Sequence, residues 1–247
     1  MLLKQQINNE IYSSLGEKWY KGTDYVAMLR AEANARNPWI IKHIQNLNQK
    51  DLKILDIGCG GGLLTNELSK ISNKVTGIDI HSEALNVAKK YNSLNNVNYL
   101  NANALELPFE NESFDIICAL DLLEHVDCYE KALTEGVRVL KKQGLFFYHT
   151  FNRNLLTNLF VIKGMEWFVK DTPKNLHVHH LFIKPKELTS LFSKLNCENQ
   201  ELKGLNPKIF SKEFLELLIK GRVSQNFKFE ITSSLMCGYI GFCKKIN

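Results

Sequence analysis

The chain has 247 residues, 45% of them apolar and 23% charged, the proportions of a soluble globular protein built as one large domain. Its 14 Gly and 5 Pro exclude a collagen-like or Pro-rich chain, no run reaches the ~18–20 apolar residues of a membrane-spanning helix, and Met1 to Gln6 lack the apolar run of a secretory signal. The net charge of +5 is unevenly spread: residues 51–150 carry 9 basic and 14 acidic side chains, residues 151–247 carry 15 and 8. A basic last part suits an anionic partner, lipid or nucleic acid, as well as an ordinary solvated lysine surface.

The first fifty residues read as a helical cap. Tyr25 to Ala33 is rich in helix formers. Asn37-Pro38 punctuates, and Pro38 suits the first turn of a new helix carrying Trp39, Ile40, Ile41, Ile44 and Leu47. Ile54-Leu55-Asp56-Ile57 is then a strand, followed at once by Gly58-Cys59-Gly60-Gly61-Gly62 and a helix through Leu63, Leu64, Leu68 and Ile71. Further strands are expected at 74–80, 98–101, 114–120 and 145–149, with helices at 82–89 and 129–140 between them. Strand and helix alternate five times, which predicts an α/β, doubly wound, mostly parallel sheet. Residues 152–186 break the rhythm and form an insertion after the fifth strand. A helix opens at Pro185-Lys186-Glu187-Leu188, and 235–243 reads as a terminal strand within the C-terminal part of the sheet, 187–247. The whole, 1–247, reads as a single domain with its core at 51–150.

None of the six cysteines forms a Cys-x-x-Cys pair, so zinc is not indicated and a reducing, cytosolic setting is the simplest inference. Cys118, inside an apolar run, reads as a buried thiol.

The glycine turn carries the chemistry. Directly after a buried strand, glycines let backbone N–H groups and a helix N-terminus approach a ligand. The Walker pattern needs Gly-Lys-Ser/Thr, and Leu63-Leu64-Thr65 stands there; the dinucleotide pattern needs a glycine where Leu63 stands, so a dehydrogenase fits poorly. What is present is Asp56-x-Gly58-x-Gly60-x-Gly62. Asp56 suits a cationic ligand with an amino group, and Asp79, ending the next strand, suits the two hydroxyls of a ribose.

Together these residues resemble the class I S-adenosylmethionine-dependent methyltransferases, a Rossmann-like family, over about residues 35–150. Asn103-Ala104, Leu107-Pro108-Phe109 and Ser113-Phe114-Asp115 look like its third and fourth motifs. The resemblance implies adenine contact at Asn103 and Ala104 and places Leu120 against the methionine part of the cofactor. A narrower match follows in chain order: Asp121-Leu122-Leu123-Glu124-His125-Val126, Thr150-Phe151-Asn152-Arg153-Asn154 and Phe182-Ile183-Lys184-Pro185-Lys186-Glu187-Leu188. These are similar to the ubiquinone-biosynthesis O-methyltransferases, which methylate a phenolic oxygen of a polyprenylated ring.

That resemblance implies S-adenosylmethionine as cofactor and a divalent metal, magnesium, on Asp121, Glu124 and His125, with Asp121 where the family has Glu. A hard cation beside a catechol would stabilise the phenolate, whose ordinary pKa is about 10. Without a metal, Glu124, His125 or His149 serves in acid–base work; His149 in its aromatic strand also reads as a satisfied core residue. His177, His179 and His180 read as loop residues near the substrate mouth. The family's Arg after Asn-Pro is missing here, since Trp39-Ile40-Ile41 follow; Arg36 and Arg30 are the candidates for the cofactor carboxylate.

Segment 155–169 is apolar on most faces and bracketed by Arg153, Lys163, Lys170 and Lys174. It reads equally as a lid and as an interfacial element giving access to a membrane-dissolved substrate from the inner, cytoplasmic face. The alternatives are another small phenol or a carbon atom as acceptor, and RNA methylation or nucleic-acid binding. The latter lacks the interleaved aromatics and Arg clusters it requires, so no nucleic-acid partner is expected.

Overall fold

The computed structural model describes residues 6–247. The expectations for Met1 to Gln5, namely the absent signal and the start of the cap, lie outside the described residues.

The described residues form an eight-stranded sheet. Its strands are β1 (Ile54–Ile57), β2 (Val75–Asp79), β3 (Val97–Asn101), β4 (Phe114–Leu120), β5 (Leu140–Phe151), β6 (Cys197–Pro207), β7 (Phe229–Thr232) and β8 (Gly238–Lys245), in the order β3-β2-β1-β4-β5-β8-β6-β7. β1 to β5 are parallel. β8 is antiparallel to β5 and to β6, and β7 pairs antiparallel with β6. The order reverses between β1 and β4, so ligands fall at the carboxyl ends of those strands.

Both faces of the sheet are covered, which is why β1 and β4 read as continuous apolar runs rather than alternating ones. Alternate residues of β5 serve opposite faces. Phe146 and Tyr148 join Leu133 and Phe192 in one core, and Leu145 and Phe147 join Ile40 and Ile44 in the other. Burying Phe146, Phe147, Tyr148 and Phe192 fully contributes about 1.5–3 kcal/mol each.

The helices are α1 (Lys18–Lys21), α2 (Val26–Gln45), α3 (Thr65–Leu68), α4 (Ser82–Tyr91), α5 (Tyr129–Val139), α6 (Leu155–Thr157), α7 (Gly164–Phe168), α8 (Pro185–Lys194) and α9 (Lys212–Lys220). Pro38 does not open a helix: α2 runs continuously through it. A proline inside a helix costs about 3 kcal/mol, and tertiary contacts on either side outweigh it. Asn37 donates to the Leu63 carbonyl at 3.0 Å, Arg36 is ion-paired, and Ile40 and Ile44 are buried. The strand β6 escapes the alternation rule because its register shifts between Asn199 and Glu201, which breaks the period of two.

The insertion is a helical run, α6 and α7 joined by a π-wound stretch at Asn158–Lys163. Its Leu155, Leu156, Leu159, Phe160, Trp167 and Phe168 are exposed. No helix among the described residues is long and apolar enough to cross a membrane.

Candidate active site

A cavity of about 310 Å³ opens at the carboxyl ends of β1, β2 and β4. Asp56, Gly58, Gly60, Asp79, Asn103, Ala104, Leu120, Asp121 and His125, all singled out from the sequence, line it together with Arg36. The turn after β1 is possible only with glycine. Gly58 and Gly60 have φ of +71° and +51°, and a Cβ at Gly60 would lie 2.6 Å from the Trp19 ring. Asp79 fixes this turn: its carboxylate accepts from the backbone N–H of Gly60 and of His81, each at 2.9 Å.

Asp56 is buried and accepts from the Thr65 hydroxyl at 2.6 Å. Burial outweighs that bond and pushes the carboxyl up to about 7. Its anionic form complements a cationic cofactor, so binding of S-adenosylmethionine is expected to tighten as pH rises through about 7. Calorimetry should show that slope in the wild type and its loss in Asp56→Asn. An unchanged slope would remove Asp56 from the ligand's charge balance.

Asp121 directly follows β4 with a left-handed φ of +52°, a conformation that Asp tolerates better than most residues. From there its Oδ2 accepts from Arg36 Nη1 at 2.6 Å, and its Oδ1 faces His149 Nδ1. Burial opposes ionisation, but the Arg36 charge and the His149 hydrogen bond hold Asp121 well below the usual carboxylate range. Glu32, one turn before Arg36 on α2, is pushed well above its ordinary value by burial and by the Asp121 charge. His149 is fully buried, burial lowers its pKa, and it does not line the cavity. It stands in the core and holds Asp121, and its Nε2 has no partner among the described residues.

Glu124 also stands back from the cavity. It is fully buried, and its Oε2 accepts from Thr150 Oγ1 at 2.8 Å. Burial and the Asp121 charge push it from 4.5 to about 8. The folded protein keeps that proton at neutral pH while the unfolded chain loses it near 4.5. The stabilisation is therefore complete below about 4.5 and is lost as pH rises through about 8. Glu124→Gln keeps the neutral form throughout, so its melting temperature should gain on that of the wild type between about pH 5 and about pH 9. A constant difference across that range would contradict a protonated Glu124.

His125 does reach the cavity. Its Nδ1 lies 3.1 Å from Asn9 Oδ1 and its Nε2 lies 3.3 Å from the Tyr12 hydroxyl. Burial holds it below its ordinary value and therefore neutral near pH 7. Tyr12, Asn9 and Trp19 were not foreseen from the sequence; the Trp19-Tyr20 pair was the only available signal. Arg30 is turned away, donating to the carbonyls of Lys18 and Trp19 at 2.9 and 3.3 Å. Of the two arginines, only Arg36 lines the cavity. His177 packs at a tilt near His125 and edge-on to Phe151, with ring centroids 5.6 and 5.0 Å away.

The three expected magnesium ligands are not brought together. After the left-handed Asp121, the 3-10 turn Leu123–His125 sends Glu124 inward to Thr150 and His125 outward to Tyr12. Among the described residues the grouping with ligand atoms close enough for an ion is Glu32, Asp121 and His149, all within 4.8 Å. Arg36 Nη1 already sits in it, 2.6 Å from Asp121 and 3.2 Å from His149. These donors, as held, do not fit magnesium.

Residues 55–148 match the methyltransferase domain family model. The ubiquinone biosynthesis O-methyltransferase of Aromatoleum aromaticum is 31% identical over 79% of this chain and 83% of that protein. That of Coxiella burnetii is 31% identical over 86% and 92%. The chain belongs to the ubiquinone biosynthesis O-methyltransferase family. As a member it is an S-adenosylmethionine-dependent O-methyltransferase. The fold agrees: magnesium protoporphyrin IX methyltransferase of Synechocystis, solved with bound S-adenosylhomocysteine, superposes with a TM-score of 0.59 over 98% of this chain and 90% of its own, at 14% identity. Asp56, Gly58, Gly60 and Asp79 line one part of this cavity, and Asp121, Leu122 and His125 line another.

Proposed function

We propose that this methyltransferase transfers the methyl group of S-adenosylmethionine to a phenolic oxygen of a polyprenylated ubiquinone precursor. The observation that carries it is His125, a neutral imidazole in the wall of the same cavity that holds Asp56 and Asp79. Asp79 would bind the ribose hydroxyls, Asn103 and Ala104 the adenine edge, and Leu120 the methionine chain. Arg36 also stands in the cavity wall, paired with Asp121. The acceptor phenol would displace Tyr12 from His125 Nε2 and give its proton to that nitrogen. The phenolate oxygen then attacks the sulfonium methyl in line: an O–C bond forms, the S–C bond breaks, and neutral S-adenosylhomocysteine leaves. Holding the two reactants in line is the main contribution, for which about 7–11 kcal/mol is available in favourable cases. The test is methyl transfer from labelled S-adenosylmethionine to a prenylated catechol, plain catechol and a carbon acceptor. Turnover on the prenylated ring that falls in His125→Gln supports the reading, and transfer only to the carbon acceptor overturns it.

A prenylated acceptor lies in a membrane, and one surface supports access to it. Leu155 is 81% exposed and Trp167 65% on the insertion; Phe210 is 92% exposed and Ile219 74% at α9 beside it. The backbone N–H of Lys170 on the Gly221 carbonyl at 2.8 Å ties the two elements together. On the same two elements Lys163 pairs with Glu166 at 2.7 Å, and Lys212 and Lys220 share Glu216 at 3.9 and 3.7 Å. An exposed apolar patch of this kind suits peripheral contact with a bilayer. Phe210→Asp and Trp167→Asp should each weaken binding to anionic vesicles about tenfold or more, measured by co-sedimentation; unchanged binding would leave 155–169 as a lid.

A further inference from the structure

We infer that Arg36 takes the place that the family resemblance reserves for a divalent cation: the cleft has no divalent-metal site, and the guanidinium supplies the positive charge beside the acceptor from within the chain. The first half rests on geometry alone; the second rests on the phenol-methylation reading.

The geometry is that of an occupied cation site. Asp121 is delivered into the cleft by a left-handed residue at the end of β4, and both of its oxygens are taken, one by Arg36 Nη1 and one by His149 Nδ1. With His149 donating through Nδ1, its Nε2 has no hydrogen-bond partner among the described residues. Glu32 completes the ring of donors around the same guanidinium. Arg36 is 5% exposed, Glu32 5% and Asp121 14% on its side chain, so water screens the group little. A second cation placed among these atoms would meet a fixed positive charge at contact distance and would have to displace the guanidinium from the Asp121 carboxylate. Glu124 and His125, the other two residues of the motif, are committed to Thr150 and to Tyr12 and Asn9.

The chemistry needed of a cation here is modest. A catechol must lose a proton to become a nucleophile, and a positive charge close by favours the phenolate whether a metal or a guanidinium carries it. Arg36 borders the cavity next to Asp121 and Leu120 and stays charged at every accessible pH.

The decisive experiment is a Mn²⁺ titration of the full-length protein, with and without S-adenosylhomocysteine, read by electron paramagnetic resonance. No saturable binding is expected. One Mn²⁺ per chain, lost in Asp121→Asn, overturns the proposal whatever the substrate. The second measurement is turnover at saturating cofactor and acceptor. Arg36→Gln should lower kcat by about tenfold to a hundredfold, the worth of a hydrogen bond to a charged group, and Arg36→Lys should recover part of it. A nitro-substituted catechol, already largely ionised, should narrow the gap between Arg36→Gln and wild type; an equal loss on both catechols would mean that Arg36 only holds the fold, and overturns its chemical role. If the wild type methylates no phenol, the functional reading fails while the Mn²⁺ result still decides the metal question.

Discussion

Replacing Asp121 by Asn is expected to destabilise the protein by about 3–5 kcal/mol, the cost of leaving a buried guanidinium without its counter-charge. For a chain of this size that lowers the melting temperature by roughly 6–20 °C. Asn is the right probe because it tolerates the φ of +52° that Asp121 adopts and keeps the side chain's shape, so the loss reports charge rather than backbone strain. The ion pair is 2.6 Å long and joins helix α2 to the end of strand β4, so the unpaired arginine should also loosen the N-terminal helices from the sheet. Arg36→Met added to Asp121→Asn removes the stranded charge and should recover most of the stability, because replacing a whole buried pair is commonly close to neutral. Thermal and urea unfolding of the two variants provide the check. A single variant as stable as the wild type would show that the pair carries little.

Asp79→Ala is expected to weaken S-adenosylmethionine binding about a hundredfold or more. Two hydrogen bonds to a charged acceptor are lost with the ribose, each contributing about 1.5–3 kcal/mol. The same carboxylate accepts from the Gly60 and His81 N–H groups at 2.9 Å, so the glycine turn also loses its anchor. Asp79→Asn keeps one acceptor oxygen and should fall between the two. Calorimetry with S-adenosylhomocysteine and with methylthioadenosine separates the effects. The second ligand keeps the ribose and lacks the amino-acid end, so both ligands should weaken in parallel. Loss confined to S-adenosylhomocysteine would place Asp79 elsewhere.

The glycine-turn side of the cavity was legible because its signals are local. Asp56, Gly58, Gly60 and Asp79 lie within twenty-four positions, and a strand followed by glycines leaves the backbone few alternatives. The Asp121 side was read less well. Asp121, Glu124 and His125 share one motif, and the family resemblance implies that they form one metal cluster. The left-handed Asp121 and the 3-10 turn after it send the three side chains in different directions. Glu32 passes unnoticed because a lone acid in an Ala-rich helix reads as solvated. His149 could be read either way until Asp121 was placed against its ring. Pro38 was read as a boundary, since local propensity opposes a proline within a helix; packing by Ile40 and Ile44 and the Asn37 bond override it.

By itself, the sequence determined the first five strands in chain order, the glycine turn, the two acids that stand beside it and the family. All of these follow from short-range backbone sterics and from periodicity. Only the tertiary structure decided the electrostatics of the Asp121 side: which acid stays charged, which is protonated, and which cation stands between them. Arg36 and Asp121 are far apart in the chain. Their interaction depends on a contact distance and on the low dielectric that burial creates, and neither exists until α2 packs on the sheet.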